Sequence, residues 1–277
     1  FEPGRVWHAT RTPEGPATLV VQAARAPETA RARAWGPGAA WTVREAPRFL
    51  GVDDDPDSFE PAAGSERGTR TLRQLRDAHR GLRLGVATSL FEVLLTVVYQ
   101  QRVTWKDATF AHAEMIRRYG EPAPGPAGLR LPPPPERLAT LGYADFHPAG
   151  VERKRAETIR RCARLAERLE ALRDATHADA AERLRALPGI GPWTVGMVMG
   201  LGLGDPDAVA EGDYHLPNVI AWVMEGVARS DDERMLELLA PYAGQRWRVV
   251  RLLMAGNVGA PRFGPRMSRS RWAQEGH

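Results

Sequence analysis

The stretch LPGIGPWTV at residues 187–195 constrains the fold of this chain most. It separates two segments with helical patterns, and its two glycines, Gly189 and Gly191, flank a single Ile190. Glycine permits backbone angles that are closed to other residues, and Ile190 can plug the two helices together. Pro192 restarts the chain at a first helical position, where no amide donor is needed. The stretch therefore predicts two helices joined by a tight hairpin.

The ends of these two helices favour an anion. The first helix is expected to begin at Asp179, a preferred cap residue that Glu182 follows three positions later. Free amides at the turn and at the start of the second helix point outward, with the positive end of the helix dipole behind them, which suits a phosphate. A helical corner that binds nothing has the same short pattern and stays open as an alternative. The residues expected to contact a phosphate backbone are Gly189, Ile190, Gly191 and Thr194.

The composition allows a folded chain that prefers anionic partners. The 277 residues are 43% hydrophobic, enough for two or three domains with buried cores. The net charge is +4, the pI is near 9.6, and nearly all of the positive charge is Arg, whose forked head suits phosphate. That balance favours a nucleic acid as partner. A GC-biased genome would produce the same Arg content, so composition alone leaves both explanations open.

Several protein classes lack support in the sequence. The single cysteine, Cys162, excludes an intramolecular disulfide framework and a cysteine-held iron-sulfur cluster, and no side-chain metal site is expected. HExxH, paired CxxC, Walker and GxSxG patterns are absent. No apolar run reaches the roughly 18 residues of a membrane span, and the start at Phe1 lacks a signal-peptide pattern. We therefore expect a cytoplasmic, nucleoid-associated protein with no membrane partner. Because Phe1 is not Met, the presence of the native N-terminus stays open.

The first 80 residues are expected to form a sheet-containing region. Two β-like runs, ATLVVQAA at 17–24 and AAWTVREA at 39–46, are separated by Pro and Gly. The acidic stretch at 53–68 is typical of a loop rather than of a core element. Beyond it helical patterns dominate. The sequence thus predicts a mainly α chain with an N-terminal α+β sheet region.

Three helical segments are predicted before the hairpin. Residues 89–101 are apolar nearly all round and begin with Ser89 three positions before Glu92, which predicts a capping box on a buried helix. Residues 105–120 are amphipathic. Residues 151–173 form a basic amphipathic helix, whose charges could also make only a solvated face.

The segment after the hairpin carries a further pattern. About twenty residues later the sequence is AEGDYHLPNVIAW, and this order of hairpin, helix and Asp-x-His resembles the helix-hairpin-helix DNA glycosylase superfamily. Residues 79–108, the stretch GVERKRAETI at 150–159 and the hairpin together resemble its alkylation-repair branch, 3-methyladenine DNA glycosylase II. The resemblance covers roughly residues 48–256.

This resemblance implies two helical lobes around a cleft. The implied divisions are 1–80 for the sheet-containing region, 81–105 with 205–277 for the lobe with the catalytic Asp, and 106–204 for the lobe with the hairpin. Double-stranded DNA is the implied partner. Nothing in the sequence demands more than a monomer. No cofactor is expected beyond a monovalent cation held by the hairpin's backbone carbonyls.

The resemblance implies that Asp213 is the catalytic residue. Its negative charge would lie beside the oxocarbenium-like sugar as the glycosidic bond stretches, and it could orient a water. The residues alone leave two alternatives open. Asp213 can cap the helix of LPNVIAWVMEG, and Glu211 is a rival carboxylate.

The residue type at position 193 distinguishes the branches of the superfamily by the reaction that they catalyse. Members that also cut the strand carry Lys two residues after the last hairpin Gly, where its amine forms a Schiff base with the sugar, and this chain has Trp193 there. The resemblance thus implies a monofunctional enzyme that leaves an abasic site. The indole could stack on a cationic alkylated purine, worth about 0.5–2 kcal/mol, or be buried against the hairpin. Tyr214 is a second candidate for the base pocket.

A flipped base leaves a gap that a wedge residue usually fills. By position the wedge loop is 100–102, with Arg102 as the wedge and Gln101 beside it as a DNA contact. The apolar wedge common in the alkylation branch is not matched, and either residue could belong to an ordinary surface loop. The segment 261–277, with four Arg and one Glu, is a candidate phosphate-binding tail.

Together these features predict a DNA glycosylase of base excision repair. It would flip out alkylated purines, 3-methyladenine or 7-methylguanine, and hydrolyse their N-glycosidic bond. Two alternatives remain at this point: an enzyme of the same fold for oxidised or deaminated bases, and a non-catalytic helix-hairpin-helix DNA-binding protein.

Overall fold

The N-terminal part of the chain is a three-stranded antiparallel sheet with one helix packed against it. A computed structural model describes residues 4–23 and 29–261, and its sheet has the order β1, β2, β3. The elements are β1 (Arg5–Thr12), β2 (Gly15–Ala23), β3 (Ala30–Trp35) and α1 (Ala39–Phe49). Leu19 and Val21 of β2 pack with Ala46 of α1 in a small core.

One of the two strands predicted in this region is confirmed. The run at 17–24 lies in β2 over its described residues, 17–23. The strand predicted at 39–46 is wrong, because these residues lie in α1, where Trp41, Thr42 and Ala46 are buried. Their spacings of one and four residues bring the three side chains to one helical face.

The predicted loop at 53–68 contains part of the core. Two short 3-10 helices, Pro56–Ser58 and Pro61–Ala63, bend the chain there, and Phe59 between them is 2% exposed. Phe59 packs near Tyr242, with ring centroids 6.1 Å apart. The expectation of no core element here is therefore wrong, since the two turns fold the stretch back onto the C-terminal helices.

Twelve further helices follow α1 within the described residues. They are α2 (Glu66–Ala78), α3 (Leu90–Gln100), α4 (Trp105–Tyr119), α5 (Pro135–Thr140), α6 (Tyr143–Phe146), α7 (Arg153–Arg164), α8 (Ala166–Glu170), α9 (His177–Arg185), α10 (Pro192–Gly202), α11 (Leu216–Glu225), α12 (Asp232–Leu239) and α13 (Arg246–Ala255). A short ladder pairs β4 (Glu121–Pro122) with β5 (Arg130–Leu131). The helices predicted at 89–101 and 105–120 are confirmed as α3 and α4. The predicted basic helix is divided at Leu165 into α7 and α8.

Two of the predicted helix starts differ in detail. Ser89 Oγ accepts from Glu92 N at 3.1 Å as expected, but the Glu92 carboxylate accepts from Thr10 Oγ1 and Arg11 N of β1, at 3.0 and 3.1 Å. The returning half of the predicted capping box is therefore wrong, because the Glu92 carboxylate accepts from β1 instead. The first helix of the hairpin pair begins after Thr176, which caps it in place of Asp179.

The helices pack around two hydrophobic cores. The larger one contains side chains of α3, α4, α7, α9 and α10, and the smaller one contains side chains of α2, α11, α12 and α13. The predicted division into lobes, 81–105 with 205–277 and 106–204, stays a prediction. Helix α3 is apolar nearly all round, so it is buried between α4, α7 and α10.

Two sequence-based expectations concern the ends of the chain and the membrane. Most of the segment proposed as a phosphate-binding tail, from residue 262 onward, lies outside the described residues. Over residues 4–23 and 29–261, none of the helices combines the length and the apolar character needed to cross a bilayer.

Candidate active site

The hairpin between α9 and α10 requires glycine at one of its two glycine positions. Gly189 has a φ of +94°, and a Cβ there would lie 2.2 Å from Thr158 Oγ1 on α7. Gly191 has a φ of −92°, which any residue adopts, and a Cβ there would meet nothing within 4 Å. The prediction of special backbone angles is thus right for Gly189 and wrong for Gly191. Ile190 is buried in the larger core, as predicted for a plug.

Two long side chains hold the hairpin from outside. Gln101 Nε2 donates to Gly189 O and to Thr194 Oγ1, at 3.0 Å each. Arg161 donates to Pro188 O at 2.6 Å. Gln101 directly follows α3, so it ties the end of that helix to the hairpin. Sequence reasoning missed this brace because Gly189 lies 88 residues away along the chain.

The start of α10 presents amide groups that have no partner within the helix. Trp193 and Thr194 lie in its first turn, where no carbonyl one turn earlier can accept their N–H groups. With the helix dipole behind them, these groups favour a phosphate oxygen. The Thr194 side chain is buried and accepts from Gln101, so any further contact of Thr194 with a ligand would use its main-chain N–H.

Arg102, the predicted wedge, occupies the turn between α3 and α4 in an unusual conformation. It is exposed and has a φ of +56°, and among the described non-glycine residues only Asn257 shares a positive φ. Such a backbone costs of order 1–3 kcal/mol and persists where surrounding contacts enforce it. The Gln101 brace is one such contact.

Asp213 lies just before α11, and its carboxylate accepts three hydrogen bonds. Oδ1 accepts from the main-chain N–H groups of His215 and Leu216, at 2.8 and 2.9 Å, so Asp213 does cap α11. Oδ2 accepts from the indole Nε1 of Trp193 at 2.8 Å. A carboxylate offers about four lone-pair positions, so about one is left for a ligand. The half-buried carboxylate is therefore fixed in orientation and still able to accept.

Trp193 brings the hairpin and Asp213 together. It is the second residue of α10, and its indole N–H is the donor to Asp213. The ring is half-buried at the edge of the larger core. Trp193 therefore positions the carboxylate, a role that sequence reasoning missed because no local pattern links residues 20 positions apart. Stacking of its face on a base remains a prediction.

The turn before Asp213 is held by a residue that the sequence did not single out. Gly212 has a φ of +84°, and its N–H donates to Asp232 Oδ2 at 2.9 Å. Asp213 N donates in turn to Ala210 O at 3.3 Å. Asp232 on α12 thus fixes the backbone from which the Asp213 carboxylate projects.

Glu211, the rival carboxylate, lines a cavity next to α10. It is exposed and lines this cavity of about 420 Å³ together with Arg185 of α9 and Arg246 of α13. Asp213 is not among the residues that line this cavity. Pro192 and Val195 of α10 line the same cavity, so Glu211 also lies beside the hairpin, and the choice of Asp213 as the catalytic carboxylate stays a prediction.

Tyr214 projects from the surface next to Asp213. Its side chain is 81% exposed and meets the His215 ring edge-on, with centroids 4.9 Å apart. The predicted place of Tyr214 in a base pocket stays a prediction, because its side chain is exposed at the surface in this structure.

Comparisons with known proteins find relatives over part of the sequence and over most of the fold. No protein-family profile matches the chain. A Bacillus subtilis protein, YfjP, by its name a DNA-3-methyladenine glycosylase, is 28% identical over 154 residues, 54% of this chain and 53% of its own length. A Mycobacterium tuberculosis protein named as a probable bifunctional transcriptional activator and DNA repair enzyme, AlkA, is 31% identical over 61% of this chain and 34% of its own length. The chain thus spans about half and about a third of these two relatives.

The solved structures extend the similarity to nearly the whole fold. The 3-methyladenine DNA-glycosylase from Archaeoglobus fulgidus has a TM-score of 0.76 at 22% identity, over 92% of this chain and 88% of that one. The chain therefore shares the fold of this DNA glycosylase. The 8-oxoguanine glycosylase/lyase of Clostridium acetobutylicum shares the same fold, with a TM-score of 0.65 at 13% identity over 90% of this chain and 87% of that one.

Three of the hairpin carbonyls already have hydrogen-bond partners. Pro188 O and Gly189 O accept from Arg161 and Gln101. Leu187 O accepts from Ile190 N at 3.0 Å. Arg161 places a fixed positive charge at the hairpin, and a monovalent cation there remains a prediction.

A buried guanidinium supports the end of α3, just before the turn that contains Arg102. Arg155 of α7 donates to Tyr99 O in the last turn of α3, at 2.9 Å, and to Gly150 O at 3.0 Å. Burial lowers the pKa of Arg155 from its ordinary value. Arg155 therefore anchors the end of α3 from inside the larger core, while Gln101 anchors it from the hairpin side.

Proposed function

We propose that the protein is a monofunctional DNA glycosylase that excises alkylated purines from double-stranded DNA. The observation that carries the proposal is the contact between Asp213 Oδ2 and Trp193 Nε1, 2.8 Å long, which holds a carboxylate beside the first turn of the hairpin's second helix. A strand whose phosphate binds the amides of α10 would bring a neighbouring sugar within reach of that carboxylate.

The reaction follows from this arrangement. As the bond between the sugar C1′ and the purine nitrogen breaks, its electron pair leaves with the base, and positive charge develops on the sugar. Asp213 stabilises that charge through its remaining acceptor position. A water oxygen then bonds to C1′, and its proton passes to Asp213 or to solvent. A purine methylated at a ring nitrogen is cationic and departs neutral, so no strong general acid is needed.

The residue at position 193 supports hydrolysis without strand cutting. Trp193 carries no amine, so it forms no Schiff base with the sugar, and the product is an abasic site. Its indole face is proposed to stack on the cationic base beside Tyr214. The relatives named as 3-methyladenine glycosylases support the choice of alkylated purines as substrates.

DNA binding would combine the hairpin with the Arg102 turn. Gly189, Ile190, Gly191 and the Thr194 main chain are proposed to grip a phosphate, and Arg102 to enter the gap left by the flipped base. Gln101 would support DNA binding indirectly, through its hydrogen bonds to Gly189 and Thr194 of the hairpin. We propose that the protein works as a monomer on chromosomal DNA, at the nucleoid of a bacterial-type cell.

A panel of damaged duplexes tests the proposal. Duplexes that carry 3-methyladenine, 7-methylguanine, hypoxanthine, uracil or 8-oxoguanine are incubated with the protein and treated with alkali to reveal abasic sites. Release of the two methylated purines, with strand cutting only after alkali, is expected. Preference for hypoxanthine, uracil or 8-oxoguanine would instead support a glycosylase for deaminated or oxidised bases. No release from any duplex, despite binding, would support a non-catalytic DNA-binding protein.

A further inference from the structure

We infer that Trp105 is a second DNA-inserting side chain, which stacks on the base left unpaired on the strand opposite the flipped nucleotide. This inference rests on the proposed function. It assigns a binding role to a residue for which neither the hairpin nor Asp213 has a use.

Trp105 differs from the other tryptophans that the structure describes. Its side chain is 70% exposed, whereas the other six described tryptophans are buried or paired with another side chain. The six are Trp7 and Trp35, stacked at 5.5 Å; Trp41 and Trp222, under Arg173 and Arg67; Trp193, bonded to Asp213; and Trp247, fully buried. An indole left in water keeps a large apolar face available for a partner.

The position of Trp105 places that face beside the proposed DNA path. Trp105 is the first residue of α4 and follows Arg102 by three positions. Three residues of chain span at most about 11 Å, and Gln101 at the start of the same turn is bonded to the hairpin. A duplex is wider than this separation. A duplex held at the hairpin and entered by Arg102 therefore comes within reach of Trp105.

The charges around Trp105 fit a nucleic-acid strand. Lys106 is exposed on one side of it and Arg102 on the other. Thr104 caps α4, so the positive end of the helix dipole lies at the same place. An aromatic face between cations is the arrangement that binds unpaired bases, with the ring under the base and the cations on the backbone.

The occupant follows from the flipping step. Extrusion of one nucleotide leaves its partner on the opposite strand unpaired, with a free face. Arg102 has a long, polar side chain and supplies little apolar surface to cover that face. Trp105 supplies it, which accounts for a wedge position occupied by Arg in place of an apolar residue.

The test uses duplexes that contain a tetrahydrofuran abasic analogue, so that binding is measured without chemistry. Trp105→Ala is expected to bind this duplex about 10-fold more weakly than the wild type, equivalent to the loss of one stacked base, while Trp105→Phe stays within about 3-fold. Affinity for the undamaged duplex should change less than about 2-fold in both variants. Val52→Ala, which trims another exposed apolar side chain in the turn after α1, is the matched control and should change neither affinity.

A fluorescent base identifies the contact. With 2-aminopurine opposite the analogue, binding of the wild type should quench the fluorescence, and Trp105→Ala should remove most of the quenching. Equal affinity and equal quenching for Trp105→Ala would overturn the inference, and so would weaker binding with unchanged quenching, because the contact would then lie elsewhere. If the wild type releases no base from any damaged duplex, the proposed function fails, and that result is independent of the Trp105 comparison.

Discussion

At the scale of single residues, the pairing of Asp213 with Trp193 sets the chemistry that this site can perform. The carboxylate is held by one indole and two main-chain donors, all of them N–H groups. The sequence singled out Asp213 because the hairpin followed by an Asp-x-His stretch resembles a glycosylase superfamily, and its catalytic role stays a prediction. Its hydrogen-bond partner was not predictable, since the indole at position 193 was interpreted as a base-stacking face and its N–H is aimed by the tertiary fold.

The indole N–H gives a prediction at this scale. Trp193→Phe keeps an aromatic face but removes the donor to Asp213, so the single-turnover rate of base release should fall at least about 10-fold, because a hydrogen bond to a charged group is worth about 1.5–3 kcal/mol. Affinity for the tetrahydrofuran duplex should stay close to that of the wild type. Quench-flow or manual time courses at saturating enzyme measure the rate. An unchanged rate in Trp193→Phe would show that the bond does not orient the carboxylate.

At the scale of elements, the hairpin is the part of the fold that the sequence predicts best. Gly189 has the strained turn and the close approach to a neighbour that its glycine suggested, whereas Gly191 has neither. The difference arises from α7, which packs against only one of the two positions. The Gln101 and Arg161 contacts also depend on neighbouring elements, so no hairpin pattern could predict them.

The two glycines provide a matched pair of variants. Gly189→Ala should lower the free energy of unfolding by about 1–3 kcal/mol, because Ala disfavours a φ of +94° and its Cβ would overlap Thr158. Gly191→Ala should unfold like the wild type, since its backbone is ordinary and its surroundings are open. Urea denaturation followed by circular dichroism measures both. Similar losses in the two variants would contradict the geometry described for the hairpin.

At the scale of the whole molecule, the sheet is joined to the helical body by buried polar groups. Glu92 of α3 accepts from Thr10 and Arg11 of β1, and His8 Nε2 lies 2.8 Å from Thr88 Oγ1. The sequence predicted a sheet region and a buried α3 separately. It could not predict their junction, because Thr10 and Glu92 are 82 residues apart and Glu92 suggested a local cap instead.

This junction makes the stability depend on pH. Burial is the main cause that raises the pKa of Glu92 from 4.5 to about 7, so the folded state holds this proton more tightly than the unfolded chain does. The stabilisation is complete below about pH 4.5 and is lost as the pH rises through about 7. Glu92→Gln, which mimics the protonated group, should remove this part of the fall in unfolding free energy between pH 5 and pH 8. Urea titrations at the two pH values measure it, and an identical pH dependence in the variant would contradict the role of Glu92.

The most direct measurement of the central claim uses Asp213→Asn. The amide oxygen can still accept from the main-chain N–H groups of His215 and Leu216. The amide NH2 cannot accept from Trp193, and the side chain carries no negative charge for the developing cation on the sugar, but neither change touches the proposed phosphate contacts, so the folded variant should bind the tetrahydrofuran duplex like the wild type. Its single-turnover release of 3-methyladenine or 7-methylguanine should fall by at least about 100-fold, the scale on which positioned charges act in catalysis. Release of the methylated purines at the wild-type rate by Asp213→Asn would contradict the account.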